Sequence, residues 1–399
     1  YQGRTLQQAL DNNYLDRLYQ TLLPGVMRAL HDRLLETQAG SYEQMTLLTV
    51  MRILDDPQNH HPEWALAYID QHLDELLNEA GEPAIGEETR KRVHQHLAYA
   101  LNHTNWYQAR QNGDQEAIHR YAPYAAGILT AQSESRQTPM AQRLYQGIRD
   151  QASAVLTTPL PLVNDPSEPF TKLLSAADEE TKQVPEWFTS HGLHYLSVHE
   201  SELQQQATFD YWVLGISDEA ATEESQGLSN KVNQIYQHDA AEYWKRTFDN
   251  LSWSSASSAE QLLMQLALLN DQSQPLAHWL NKLQSHWPDA RIAQAAYPSN
   301  PDQPLRFDMP STHSGEEPYP WYPLVRFAGS DSETSNTIGT LQRELGELES
   351  YLRPLLTAED QGVSAWQALK NRTGNDPIIQ LRLHAQTLPT PLNHWIQAL

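Results

Sequence analysis

Seventeen histidines among 399 residues are the first groups to test for chemistry, because imidazoles at helical spacing are the usual way to hold zinc. His94 and His96 stand two apart in a helical stretch and so point to different faces, while His96 and His103 share a face two turns apart, too far to chelate one ion unaided. His60 and His61 fall in a polar loop, and HESEL at 199 to 203 has no second histidine to complete a zinc-protease HExxH. These are read as surface or cap histidines, and no metal is expected.

Other catalytic signatures fare no better. GEPAIGEE at 81 to 88 has two glycines at P-loop spacing, but Glu87 and Glu88 stand where Lys and Ser or Thr would hold phosphates and magnesium, so it reads as a turn between helices. No G-x-S-x-G elbow occurs. Carboxylate pairs such as Asp178 with Glu179 and Glu180, or Glu223 with Glu224, lie in hydrophilic runs, and with 50 acidic residues adjacency says little. No catalytic residue and no cofactor is expected.

The elements that would have to position any site are mostly helices. Leu228 to Leu283 organises the chain. In its first part Val232, Ile235, Tyr236, Tyr243, Trp244 and Phe248 recur at helical spacing; Ser258 then caps a second helix, with Leu262, Leu263, Leu266 and Leu269 on its buried side, and Pro275 opens a third. Tyr243, Trp244, Trp279 and Trp395 are expected to be packing residues and not ligands of a substrate. PLAHWLNKL at 275 to 283 and PLNHWIQAL at 391 to 399 echo each other. The match does not extend to a tandem repeat, and both are read as proline-led helix starts with a Trp packed on a neighbour.

Before this stretch, residues 1–155 read as a helical array. A stripe through Leu6, Leu10, Tyr14, Leu18 and Leu22 is interrupted at Pro24 and Gly25; Ser41 with Gln44 makes a capping box; Pro62, Glu87 with Glu88, Asp114 and Pro139 open further helices. Residues 156–222 read as a small mixed α/β module. TTPLPLVND is proline-broken and extended, FDYWVLGI at 209 to 216 has the aromatic and branched content of a strand, and SDEAATEESQG reads as a solvated connection. A helical domain at 223–287, a proline-rich linker or crossing loop at 288–335 and a C-terminal helical segment at 336–399 complete the division. The fold class expected is mainly α, a multi-module helical array with that small mixed segment in the middle.

Composition narrows the partners. A net charge of −23 leaves too few clustered cations to neutralise phosphates, so neither nucleic acid nor an anionic lipid surface is expected. Zero cysteines exclude disulfides, thiolate metal sites and cysteine nucleophiles, and do not identify a compartment. No apolar run approaches membrane-spanning length, and the start at Tyr1 reads as a soluble fragment of a longer protein. Eleven Trp and eighteen Tyr against six Phe is an unusual balance; aromatics with a polar tip suit half-buried seams, partner surfaces and sugar clefts.

Several stretches, in order, resemble one family: the periplasmic region of IcmF/TssM, a membrane-complex component of type VI secretion systems. They are YLDRLYQTLLPGVMRALHDRLLE with SYEQMTLLTVMRILDDP, MAQRLYQGIRDQAS with LPLVND, VPEWFTSHGLHYL, QIYQHDAAEYWKRTFDNL and DPIIQLRLHAQTLPTPLNHWIQAL. In the fourth block Ala241 and Glu242 set Asp239 and Tyr243 further apart than the family pattern. The resemblance implies a non-enzymatic scaffold in the periplasm, part of an inner-membrane-anchored protein that assembles with copies of itself around the secretion channel. The partners it implies are an outer-membrane lipoprotein (TssJ), docked through a C-terminal domain expected to lie outside this chain, and an inner-membrane companion (TssL). It transfers no site residue. The rival from composition is a glycan-active helical enzyme, an α/α toroid using a carboxylate pair.

Overall fold

A computed structural model describes residues 17–57, 60–77, 84–103, 105–288, 332–370 and 376–399, with Tyr14, Tyr319, Trp321, Pro323, Leu324 and Phe327. The chain is mainly helical, with a small mixed α/β segment, and divides into two compact units: residues 1–144 with 202–228, and residues 145–201 with 229–399.

The first unit is built on helix α1 (Leu23–Glu36) and helix α2 (Tyr42–Asp55). Every apolar position of α2 from Leu47 to Leu54 is fully buried. Such a helix needs its polar starts satisfied, and the Ser41 hydroxyl accepts from the Gln44 N–H at 3.1 Å. The Gln44 carbonyl oxygen takes the Gly40 N–H at 2.8 Å and the Ser135 hydroxyl at 3.0 Å, so the capping-box glutamine also ties α2 to a later helix. Pro24 and Gly25 do not interrupt the chain's helical course. A π turn, Leu18–Leu22, runs directly into α1, where Pro24 occupies the first turn and needs no donor. Helices α3 (Pro62–Gln71), α4 (Leu73–Leu77), α5 (Glu87–His103), α6 (Trp106–Gln111) and α7 (Gln115–Ser135) follow. Residues 78–83, which include the first three of the GEPAIGEE turn, lie outside the described residues. Asp114 caps α7, accepting from the Glu116 and Ala117 N–H groups.

One expectation for residues 202–228 is corrected. FDYWVLGI is not a strand: up to Val213 it belongs to helix α9 (Glu200–Val213), named after helix α8 (Met140–Val155). Aromatic and branched residues favour strands only where a pleated neighbour exists, and among the described residues no strand lies in position to pair with this run. The solvated connection SDEAATEESQG is helical: helix α10 (Asp218–Ser225), none of whose residues is buried, is capped by Ser217 with Asp218 and Glu219 in its first turn.

The second unit centres on helix α11 (Leu228–Asn250). Around it lie two antiparallel two-stranded sheets. Strand β1 (Leu160–Pro161) pairs with β3 (Gln183–Val184), Leu160 opposite Val184; strand β2 (Leu174–Ala176) pairs with β4 (Leu251–Trp253), Leu174 opposite Trp253. Between β3 and helix α12 (Ser190–Val198) the chain makes a 3-10 turn, Glu186–Phe188. Gly192 sits on that turn so closely that a Cβ would stand 1.8 Å from the Trp187 carbonyl oxygen, so only glycine lets α12 begin there. Helices α13 (Ala259–Leu269), α14 (Pro275–His286), α15 (Ser332–Leu356), α16 (Gln361–Lys370), α17 (Pro377–Ala385) and α18 (Leu392–Ala398) follow. Ser258 caps α13, and Pro275 opens α14. Within the proline-rich stretch, Tyr319, Trp321, Leu324 and Phe327 are buried, and Trp321 stacks on Tyr319 at 4.7 Å; apart from these and Pro323, residues 289–331 lie outside the described residues.

Candidate functional site

The second unit explains why polar-tipped aromatics outnumber phenylalanine. Its irregular segments and short strands leave carbonyls without ladder partners, and buried carbonyls must be satisfied. Aromatic side chains do this. Trp244, fully buried, donates its indole N–H to the Phe188 carbonyl at 2.8 Å. Tyr236 donates to the carbonyl of Trp187 at 2.9 Å, with the Thr189 carbonyl 3.1 Å away. The Tyr243 hydroxyl reaches the Glu180 carbonyl at 3.2 Å, with the Gln183 carbonyl 3.3 Å away. One face of α11 thus pins the segment from Glu180 to Thr189. Trp395 does the same for β4, donating to the Leu251 carbonyl at 3.0 Å. Trp279 packs differently. Its ring lies 4.9 Å from Phe170 and 5.7 Å from Trp395, so the tryptophans of the two echoed segments meet in one aromatic cluster; its indole N–H has no acceptor among the described residues.

Tyr243 also lines a cleft of about 1070 Å³ between α11, the 145–155 part of α8 and the segment around β3. Arg149 lies over the Phe188 ring, Phe188 stacks on Tyr243 at 4.6 Å, and Arg246 lies over Tyr243. Three of the cleft's acids are engaged. Asp239 accepts the Tyr145 hydroxyl at 2.7 Å with Arg149 at 3.6 Å; Glu180 faces Arg246 at 3.3 Å; Asp249 holds Lys245 at 2.8 Å. Burial, with the bond to Asp239, pushes the Tyr145 phenol up, so it stays a donor at neutral pH. Asp249 raises the Lys245 ammonium. Glycoside hydrolysis needs one carboxyl held protonated in apolar surroundings beside a second that is ionised. These carboxylates instead face cations and a phenol, an arrangement of structural pairs.

The carboxyl that burial does raise, Asp210, is in the first unit on α9, pushed up to about 6. It is 5% exposed and accepts from the Gln206 amide at 2.7 Å, with Arg143 as the nearby charge. The strand reading of FDYWVLGI hid it; as a helix, the run places a buried acid beside buried Tyr211 and half-buried Phe209 and Trp212. Elsewhere in that unit Asp55, buried, takes both terminal nitrogens of Arg110, whose guanidinium lies 3.8 Å over Tyr121.

The histidines fall into structural roles. His94 bonds Asp70 at 2.6 Å, His96 bonds Tyr14, His61 bonds Glu63 at 2.8 Å, and His60 stacks on Trp212 with centroids 3.5 Å apart. A pattern the sequence reading missed is Tyr-x-x-x-His at helix ends. Tyr68 with His72, Tyr99 with His103 and Tyr195 with His199 each stack at 4.0 to 4.4 Å, and His103 and His199 bond back to the tyrosine carbonyl, meeting the open end of the helix. Among the described residues no group of three or more His, Cys, Asp or Glu could hold a metal ion, and no helix is long and apolar enough to cross a membrane.

A family model described as "IcmF-related: Intracellular multiplication and human macrophage-killing" matches residues 1–287. No curated protein and no solved structure matches the chain.

Proposed function

Because this chain belongs to the IcmF-related family, a family of structural secretion-system components, we propose that it is a non-enzymatic scaffold of the envelope-spanning membrane complex of a type VI secretion system. In this reading it is a periplasmic part of an inner-membrane-anchored protein, and it assembles with copies of itself around the channel. The outer-membrane lipoprotein TssJ and the inner-membrane protein TssL are the further partners proposed.

The observation that carries the reading is the family match over residues 1–287. The geometry supports it: Asp239, Glu180 and Asp249 face Arg149, Arg246 and Lys245, and the aromatic tips of α11 are spent on the backbone of the segment they pack against. A part of this kind transmits position and carries out no reaction. The rival reading predicts turnover. Incubating the protein with a panel of peptidoglycan and oligosaccharide substrates should release no reducing ends; clean release, abolished by Asp239→Asn, would overturn the scaffold reading.

A further inference from the structure

Helices α12 (Ser190–Val198) and α14 (Pro275–His286) pack against each other in the second unit, and the Ser190 hydroxyl donates to the Ser285 carbonyl at 3.0 Å. Three imidazoles gather there. His191 and His286 have ring centroids 6.1 Å apart, and His194 lies one turn beyond His191 on α12 with its Nδ1 buried. The other charged groups are few. The Glu186 carboxylate bonds His191 Nδ1 at 2.7 Å and takes the Thr158 N–H at 2.8 Å with its second oxygen. Lys282, one turn before His286, holds Asp165 at 2.7 Å and faces Glu168 at 3.5 Å, and Glu168 is also met by His278 at 2.9 Å. His286 itself bonds the Lys282 carbonyl at 2.8 Å, and the next residue, Trp287, is fully buried.

We propose that this cluster is an acid-triggered release: protonation of His194 and His286 beside His191 sets like charges across the crossing of α12 and α14 and loosens it. The carboxylate facing the added charge, Glu186, is already shared between His191 and the Thr158 N–H, and Lys282 adds a further cation on the α14 side. Burial first, then the neighbouring His191, holds the His194 imidazole below its usual value; His286 is lowered by burial and by His191 and Lys282, against the Lys282 carbonyl and Glu186. The sign follows. A histidine whose folded-state pKa lies below its unfolded value favours the folded contact above the unfolded value and opposes it as pH falls, so the crossing is firm at neutral pH and weakens as pH falls below the ordinary histidine value of about 6.5.

Hydrogen exchange read by mass spectrometry on the whole chain, corrected for intrinsic rates, tests this locally. Protection of peptides covering 190–198 and 275–287 should fall by about tenfold or more between about pH 7.5 and pH 5, while peptides from the middle of α11 keep theirs. The double variant His194→Gln, His286→Gln should keep protection at both pH values. His191→Gln, which removes the shared neighbour and leaves the two half-buried imidazoles in place, should move the midpoint to a different pH by about half a unit or more. Protection that does not change with pH in the wild type, or that is lost equally in the double variant, would overturn the proposal; so would an unmoved midpoint in His191→Gln.

Discussion

Trp244 and Trp279 offer a matched pair for testing what the aromatic tips contribute. Both rings are buried, at 0% and 1% exposure. They differ in one bond: the Trp244 indole donates to the Phe188 carbonyl at 2.8 Å, and the Trp279 indole finds no acceptor among the described residues. Replacing either by phenylalanine removes the same packed atoms, about 1 to 2 kcal/mol on area and cavity terms. At position 244 the change also strands the Phe188 carbonyl inside a buried turn, a further penalty of about 1 to 3 kcal/mol. At position 279 it removes a donor that was already unsatisfied, which offsets part of the packing loss. Trp244→Phe should therefore cost about 2 kcal/mol more than Trp279→Phe in urea unfolding followed by near-UV circular dichroism, with unchanged m-values, and Trp244→Ala about 3 to 5 kcal/mol in all. Costs for the two phenylalanine variants within about 0.5 kcal/mol of each other would refute the claim that these tips are held for the backbone carbonyls they satisfy.

Three more outcomes follow from single sites. Gly192→Ala forces a Cβ against the Trp187 backbone, which must shift, so the variant should lose about 3 kcal/mol or more and lose near-UV signal before far-UV signal; an unchanged melting temperature would contradict the close approach. Asp210, raised from 3.8 to about 6 mainly by burial, opposes folding once ionised. Its penalty is absent below about pH 4 and complete above about pH 6, so Asp210→Asn should be more stable than the wild type at pH 7.5 by up to about 3 kcal/mol and equal to it near pH 4; a difference that does not vary with pH would contradict this. Asp55→Ala leaves the Arg110 guanidinium buried without its carboxylate and should cost about 3 to 5 kcal/mol by chemical denaturation; a cost under about 1 kcal/mol would show the pair to be dispensable.

Much of the fold was readable because helix starts carry local signals. Ser41, Asp114 and Ser258 each accept the N–H that their positions promised, and Pro275 opens its helix. The misses have physical causes. α10 buries none of its residues, so it has no apolar stripe to announce it, and only Ser217 with its acidic first turn marked it. FDYWVLGI carries strand-forming residue types, but strand preference depends on a sheet to join, and α9 instead uses them as a helix face. The π turn before Pro24 is invisible to a period of 3.6. The cleft was out of reach for a different reason: Arg149, Glu180, Asp239 and Arg246 come from separated segments, and only packing brings them together. The excess of Trp and Tyr was visible at once, yet its meaning was not, since a donor's acceptor carbonyl leaves no trace in composition.

The scaffold reading stands or falls on assembly. The most direct measurement is the native mass of the full-length protein, co-expressed with the lipoprotein proposed as its partner and extracted in mild detergent, by mass photometry or native mass spectrometry. The account predicts a complex containing several copies of this chain with the lipoprotein bound; a persistent single copy that never captures the lipoprotein would contradict it.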